Sequence, residues 1–418
     1  MSSSSIETVP GSAGLSGHAR SHWSGTADVQ ELAHWSGVAE QLAEALAVDA
    51  LERDRRNAQP FAEAQLLKQS GLVTLLDPAE LGGGGAHWES AFRAVRILAR
   101  VDASIAQLLG YHYINESNIA LVAPPEQRER WFRATIEGRW IWGDSVNPVD
   151  PSLVLTPEGE GYRLNGQKRF STGSGVGEAL LVNAVVSGGE DDGRLAFIVL
   201  PYGHPGVEIV DDWDNLGQRL SASNTVRYHD VRVEQEHLLG LGTDEPFQSL
   251  VTPGIQLVFG NLYLGIAQGA LAQGRALTNA RSNAWFLSQA SSYKEDPFVQ
   301  RLYGELVSRT AAVEALADRV NRSFDQIIGL GAAVTAEDRG RLAIEIAQLK
   351  VVSSDLGTDV AHRVFEATGS SSTASHVGLD LHWRNVRTHS LHDPVDYKKL
   401  EVGANFLTGA LQPISLYT

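Results

Sequence analysis

The chain contains no cysteine, and its only methionine is Met1. The first absence excludes disulfides, thiolate metal sites and a cysteine nucleophile. Scarce sulfur also leaves little to oxidise, which suits a chain working beside peroxide. Drift in base composition explains it more simply. Long apolar runs are missing as well: no window approaches the ~18 uninterrupted apolar residues of a membrane span. Basic runs are absent too, with 34 Lys and Arg against 50 Asp and Glu and a net charge of −16. Phosphate backbones call for basic stripes, so neither nucleic acid nor a membrane is an expected partner. A small neutral or hydrophobic substrate fits better. Residues 1–28 are rich in Ser, Gly and His and lack the basic start and apolar centre of a signal peptide. They read as a disordered tail on a cytoplasmic protein.

At 418 residues two or three packed units are expected, since single cores rarely exceed ~250–300 residues. Residues 29–139 carry helical periodicity: Leu32, Trp35, Val38, Leu42 and Leu46 recur at helical spacing. Pro60 opens a second helix that Gly71 can end, and helices over 86–101, 104–122 and from Pro124-Pro125 follow. Residues 140–245 change to short apolar or alternating runs at 153–156, 162–164, 179–186, 195–200 and 225–233, separated by glycine-rich turns. In the last run Val226, Tyr228 and Asp230 are expected to share one face. A small β-barrel or sandwich is the natural reading. Residues 246–418 return to helix, with long segments at 254–280, 296–328 and 336–368 and a last helix after Pro394, the pattern of a four-helix bundle. This order is α+β and lacks the βαβ alternation of a doubly wound sheet.

The most informative stretch runs from Trp383 to Pro394, with His389, His392 and Asp393 inside it. On a helix His389 and His392 would share a face, and imidazole is suited to moving protons near neutral pH. The two histidines and Asp393 could instead ligate a metal, although adjacent helical residues point about 100° apart, or form a structural pair. No metal is expected. Arg281, after the long helix 254–280, either complements the helix dipole or grips a phosphate. The polar run Gly369–Ser375 either caps a helix or holds a phosphate. The four glycines Gly82–Gly85 lack the Lys-Ser/Thr of a phosphate loop and read as a tight turn. Gly110-Tyr111-His112 interrupts an apolar helix, and a hydroxyl pair, Ser171-Thr172, ends a strand.

Together these pieces resemble the acyl-CoA dehydrogenase fold: helical domain, β-domain, four-helix bundle. Leu76–Gly85 is similar to that fold's glycine-rich loop. Gly161–Lys168 followed by Phe170-Ser171-Thr172-Gly173 is similar to its flavin strand. The resemblance spans about residues 30–418. True dehydrogenases place a glutamate base near the C-terminal signature. Here the run is His389-Ser390-Leu391-His392-Asp393-Pro394, which resembles the flavin-dependent monooxygenases of the fold and most closely the dibenzothiophene monooxygenase family, as does Asn261–Ala267.

That resemblance implies a homotetramer using reduced FMN from a separate NAD(P)H-dependent flavin reductase, with O2 activated as a flavin C4a-hydroperoxide. FAD is the alternative cofactor. The implied substrate is a hydrophobic aromatic heterocycle, with S-oxidation leading and indole oxygenation or amine N-hydroxylation as alternatives. Implied catalytic residues are His392, Tyr111, His389 and Thr172. Implied flavin contacts are Thr172, Trp213, Arg281, Asp144, Ser145, Ser371, His392 and Asp393. Gln107, Tyr111, His112 and His389 would line the substrate pocket. The chain departs from the family at Gln107, where a histidine is usual, at Asp144, usually asparagine, and at Ser371, usually arginine. A dehydrogenase or nitroalkane oxidase with FAD and Asp393 as base is a competing expectation. A non-enzymatic scaffold is the third.

Overall fold

The computed structural model describes residues 21–147, 152–415 and 417–418. Residues 1–20 of the expected tail lie outside the described residues. Residues 21–28 are ordered, contrary to expectation, because Trp23 is buried against Trp88 and donates its indole N–H to the Leu76 carbonyl at 2.9 Å. Asp28 then caps α1 (Val29–Ala47) by accepting from the Gln30 and Glu31 amides. α2 (Ala50–Arg56) and α3 (Phe61–Ser70) follow, and Gly71 ends α3 at φ 81°, a left-handed position that glycine takes without strain.

α4 (Trp88–Ala99) is buried at every position but Arg93, and α5 (Ala103–Leu121) is buried along all 19 residues. A helix covered on every side presents its polar side chains to the interior, and this one carries Gln107, Tyr111 and His112 there. α6 (Pro125–Gly138) closes the first helical block.

The strands are β1 (Trp142–Ser145), β2 (Val154–Glu158), β3 (Gly161–Ser171), β4 (Ala179–Val186), β5 (Leu195–Pro201), β6 (Val207–Val210), β7 (Asn224–Val233) and β8 (Leu238–Leu241). They form one mixed sheet in the order β6-β7-β3-β2-β4-β5-β8, with β1 parallel to β4. β1 and β2 share one edge of β4 in succession. Among the described residues β6 and β8 do not pair, so the sheet stays open where a closed barrel was one expectation. Its own core holds Leu155, Leu164, Val182, Ile198, Val226 and Val231. Asp230 does not share the buried face with Tyr228: its φ of 54° breaks the alternation, turning Asp230 out and Val231 in.

The C-terminal block comprises α7 (Val251–Asn279), α8 (Pro297–Ile328), α9 (Ala336–Thr368), α10 (Asp380–His389) and α11 (Val395–Thr408). α7 is apolar and long enough to cross a membrane, yet 83% of its most apolar window is buried in the bundle. It approaches α5 closely at Gly110, where a Cβ would stand 2.5 Å from Val258 Cγ1. The helical–β–helical order of the acyl-CoA dehydrogenase fold is therefore present, and α5, β1 and α10 meet at its centre.

Candidate active site

Gln107 and Tyr111 stand one turn apart on α5 and face the same way. His112 does not join them. Adjacent helical residues diverge by about 100°, and its ring is buried on another side, with Nε2 2.7 Å from the Val73 carbonyl and Nδ1 accepting from the Trp142 amide. Burial lowers its pKa to about 4. His112 is a neutral buttress between α5 and β1, not part of the substrate wall.

Thr172 sits in the turn after β3, fully covered, and its hydroxyl meets the Gln107 Nε2 amide at 3.1 Å and Ser223 Oγ at 2.9 Å. The surrounding backbone is held in unusual conformations: Phe170, Gln218 and Ala222 all have positive φ. Such positions are strained for residues with a Cβ and persist where surrounding structure over-determines them. The Gln218 amide donates to Asn385 Oδ1 on α10 at 2.8 Å, and its carbonyl accepts from Trp213 Nε1 at 2.7 Å. Gly217 makes this docking possible, since a Cβ there would lie 2.2 Å from the Arg384 carbonyl oxygen. Trp213 is half-buried, edge-on to Phe170.

One turn along α5 from Gln107, at Tyr111, begins an aromatic cluster. Tyr111 stacks on Phe259 with centroids 6.0 Å apart, and both meet the rings of His389 and His392. The two imidazoles are parallel, 5.8 Å apart. They share a face although α10 ends at His389: the turn after it, not a continued helix, brings His392 round. His389 Nδ1 contacts Tyr263 Oη at 3.0 Å. Burial, then the neighbouring His392 and Lys350 charges, lowers its pKa well below the usual value, so His389 acts as a neutral ring. Burial, with Asp144 adding to it, raises the Tyr111 phenol far above neutrality, and no described residue hydrogen-bonds to it.

His392 is the rim of this floor: its side chain is 41% exposed, and Nδ1 lies 3.3 Å from Asp393 Oδ1. Asp393 in turn pairs with Lys350, whose ammonium also meets Gln256 Oε1. Burial pushes Asp393 up, but the His392 and Lys350 contacts outweigh it and hold the carboxyl well below the usual range. A carboxylate held this firmly ionised is a poor base, which removes support from the dehydrogenase expectation.

Asp144 lies on β1 with its carboxyl buried, and desolvation raises its pKa to about 7 against the opposing pull of Lys168 and Asn115. A large share is therefore neutral at pH 7, which eases the placement of an anionic ring nearby. The Ser145 hydroxyl points into the β-domain, where it accepts from Tyr228 Oη at 2.7 Å and Ser171 Oγ at 3.3 Å, so only its backbone can face a cofactor. Arg281 and Ser371 come together: Arg281 Nη1 donates to the Thr368 carbonyl at 2.9 Å beside the turn Ser370–Thr373, and its guanidinium lies over Tyr293. Both are far from His389. Sixteen residues of α7 separate Tyr263 from Asn279, about 24 Å along the axis. A cleft of about 190 Å³ lined by Gly173, Ser174, Tyr202 and Ile209 lies on the β-domain and excludes Thr172, Tyr111 and His389 from its lining.

The acyl-CoA dehydrogenase N-terminal, middle and C-terminal domain models match residues 30–139, 145–231 and 257–397 in order. The protein named "Probable FMNH2-dependent monooxygenase SfnC" from Pseudomonas putida is 40% identical over 370 residues, 88% of this chain and 93% of that one. The dibenzothiophene monooxygenase of Mycolicibacterium goodii is 35% identical over 395 residues, 91% and 95% of the two chains. The chain belongs to the acyl-CoA dehydrogenase family, in its flavin-dependent monooxygenase branch. A solved complex of TdsC from Paenibacillus sp. A11-2 with FMN and indole is similar to this monooxygenase at a TM-score of 0.89 and 37% identity, covering 92% of this chain and 100% of that one.

The junction fits a flavin ring. Gln107 Oε1, His389 Nε2 and both side-chain amide atoms of Gln218 are buried without a hydrogen-bond partner among the described residues. Buried polar atoms are nearly always paired, so these atoms call for a ligand rich in alternating donors and acceptors. Several residues beside the monooxygenase's site carried no sequence signal, namely Lys350 in the middle of α9 and Ser221 and Ser223 in an unremarkable loop, while Tyr263 lay inside the motif Asn261–Ala267 without being singled out.

Proposed function

We propose that this monooxygenase oxygenates the sulfur of a hydrophobic aromatic heterocycle, using O2 and reduced FMN supplied by a separate NAD(P)H-dependent flavin reductase in the cytoplasm. The observation that carries the reading is the buried aromatic floor of Tyr111, Phe259 and His389, one turn along α5 from the Gln107 that bonds to Thr172 and rimmed by the exposed edge of His392. Reduced FMN supplies the two electrons and the carbon at which O2 is activated. The reaction balances as sulfide plus O2 plus FMNH2 giving sulfoxide, FMN and water. Tyr111, protonated at all working pH values, donates a hydrogen bond into the pocket. His392, its Nδ1 turned to Asp393, presents Nε2 to hold the proton with which the second oxygen atom departs as water. The phenyl and imidazole walls exclude bulk water from the reacting centre. An indole-like ring fits the same floor, and the indole in TdsC supports that as a second substrate class.

The deciding experiment is stopped-flow absorbance of the protein with photoreduced FMN, mixed with oxygenated buffer. A flavin transient whose decay is hastened by dibenzothiophene with sulfoxide formed is the expected result. A transient indifferent to dibenzothiophene but consumed by indole moves the substrate. Tightly held FAD that bleaches with an acyl thioester overturns the reading.

Arg281 and Ser371 are too far along the bundle to hold the phosphate of an FMN whose ring rests on Thr172 in the same chain. We assign them to the phosphate of a flavin in a neighbouring copy, within a homotetramer. The apolar side chains Trp285, Phe286 and Leu287, exposed beside Arg281, suit such a contact. Arg281→Ala should raise the Kd for FMN by about tenfold or more, the loss of a charge-assisted bond. An unchanged Kd removes the assignment, as does a monomer by light scattering.

A further inference from the structure

The four glycines Gly82–Gly85, to which the flavin chemistry gives no part, fold around Asp77. A Cβ on Gly83 would stand 2.3 Å from Asp77 Cβ, and the Gly85 amide donates to the Asp77 carbonyl at 2.8 Å. α5 fastens the chain just before this turn. Tyr113 Oη donates to the Leu72 carbonyl at 2.8 Å, and His112 Nε2 to that of Val73 at 2.7 Å. Glu116, one turn beyond His112, then brings its carboxyl group against that of Asp77. Asp77 is 0% and Glu116 2% exposed, and none of their four carboxyl oxygens receives a hydrogen bond from a described residue. Trp23, Leu76, Tyr113, Ser117 and Phe132 close the space beside Glu116.

No described cation pairs with either carboxyl. His112 Nε2 is 3.3 Å from Glu116 Oε2, but its Nδ1 accepts from the Trp142 amide, so the ring is neutral and its one hydrogen points to Val73. His22, beside the Leu76 carbonyl, is held neutral by burial. Lys68 pairs with Glu178, and Arg128 donates to the Ala123 carbonyl. Glu80 is exposed and adds only like charge, and burial keeps the Tyr113 phenol protonated. Two bare carboxylates in contact would repel and forfeit their hydration, whereas one O–H between them serves both. We propose that Asp77 and Glu116 form a carboxylic acid pair joined by a shared proton, which latches the glycine turn to α5 and opens in alkali. Burial raises both groups, Asp77 to about 6 and Glu116 well above its usual value, with the Asp77 charge adding to the second. Glu116 therefore holds the proton at neutral pH. The latch backs the cofactor side of the fold: the Trp142 amide on His112 begins β1, and the Asp144 amide of that strand donates to the Thr172 carbonyl at 2.7 Å. Loss of the proton drives the turn from α5 and loosens the seat of β1.

The test compares full-length wild type with Asp77→Asn, Glu116→Gln and the double variant, by urea midpoints between about pH 5 and 9 and by infrared difference spectra at neutral pH. Both folded-state values lie above the unfolded ones. Wild-type stability from this pair is therefore greatest in acid and falls as pH rises, by about tenfold in the folding constant per pH unit for each proton that only the folded state retains. Glu116→Gln keeps a hydrogen-bond donor for Asp77 and removes the titrating proton. It should match wild type within about a few-fold near pH 5 and exceed it by about tenfold or more near pH 8. Subtracting its spectrum from that of wild type should leave the carbonyl band of one protonated, buried acid. Turnover at neutral pH should be unchanged, and its reversible loss in alkali should move to higher pH. Asp77→Asn should flatten the stability profile as well, and the double variant most, so the comparison survives if one single variant fails to fold. Profiles that run parallel to wild type overturn the latch, as does a wild type without the acid band.

Discussion

Lys350→Met is expected to lower folding stability by about 3 to 5 kcal/mol, the usual cost of removing one partner of a buried ion pair. Lys350 is 1% exposed, its ammonium pairs with Asp393 and Gln256, and it lies 5.2 Å over the Phe259 ring. The substitution keeps the chain length and apolar contact, so the loss comes from the carboxylate left behind. Lys350→Met/Asp393→Asn should regain most of the loss, because the pair's net worth against neutral neighbours is small. Urea midpoints of the three proteins check this, and equal midpoints for single and double variants would refute it. The pH dependence adds a second check. In wild type the folded Asp393 carboxyl titrates below its unfolded value of about 3.9, so its stabilisation is complete above about pH 4 and lost as pH falls through the folded value. Without Lys350, only His392 is left to oppose burial, so the folded pKa rises toward the unfolded value and the acid-side loss of stability shrinks. Burial also lowers Lys350 to about 8, against the pull of Asp393, so the ionic pair is intact at neutral pH and loosens in mild alkali.

His392→Ala should slow product formation by about 10²- to 10⁴-fold, the range for a positioned proton donor or acceptor. Reduced flavin would still react with oxygen, so the electrons should emerge as hydrogen peroxide. The informative readout is the ratio of sulfoxide to peroxide per NAD(P)H consumed, with a saturating reductase. The fold should persist, because the side chain is 41% exposed and Asp393 keeps its Lys350 partner. Unchanged coupling would strip His392 of its role and shift attention to Tyr111.

Much of this architecture is written locally in the chain. α5 announces itself through apolar continuity, α3 through Gly71, and β4 and β5 through unbroken apolar runs. β1, β6 and β8 are four residues each and carry no alternation to detect. Their existence depends on partners such as β4 and β7, far away in sequence. The same holds in the site. Tyr111, His389 and His392 stood out by chemistry and motif, and their rings meet, while Thr172 bonds to Gln107 one turn before Tyr111. His112 stood out equally, but side-chain direction on α5 separates it from Tyr111, and only the helix's packing decides which neighbour faces the pocket. Lys350 is invisible because a lysine within α9 looks solvated until Asp393 arrives from 43 residues away.

The Gln218 junction also bears on how the protein acquires its competence. Gln107 meets Thr172 across 65 positions of sequence, Thr172 meets Ser223 across 51, and Gln218 meets Asn385 across 167. Contacts of such separation form late, after loop-closure entropy has been met by the bulk of the core. The Gln107–Thr172–Ser223 part of the junction is complete once Ser223 has been made, but synthesis must pass Asn385 before the β-domain loop finds its seat on α10, so a chain ending earlier lacks that wall of the site.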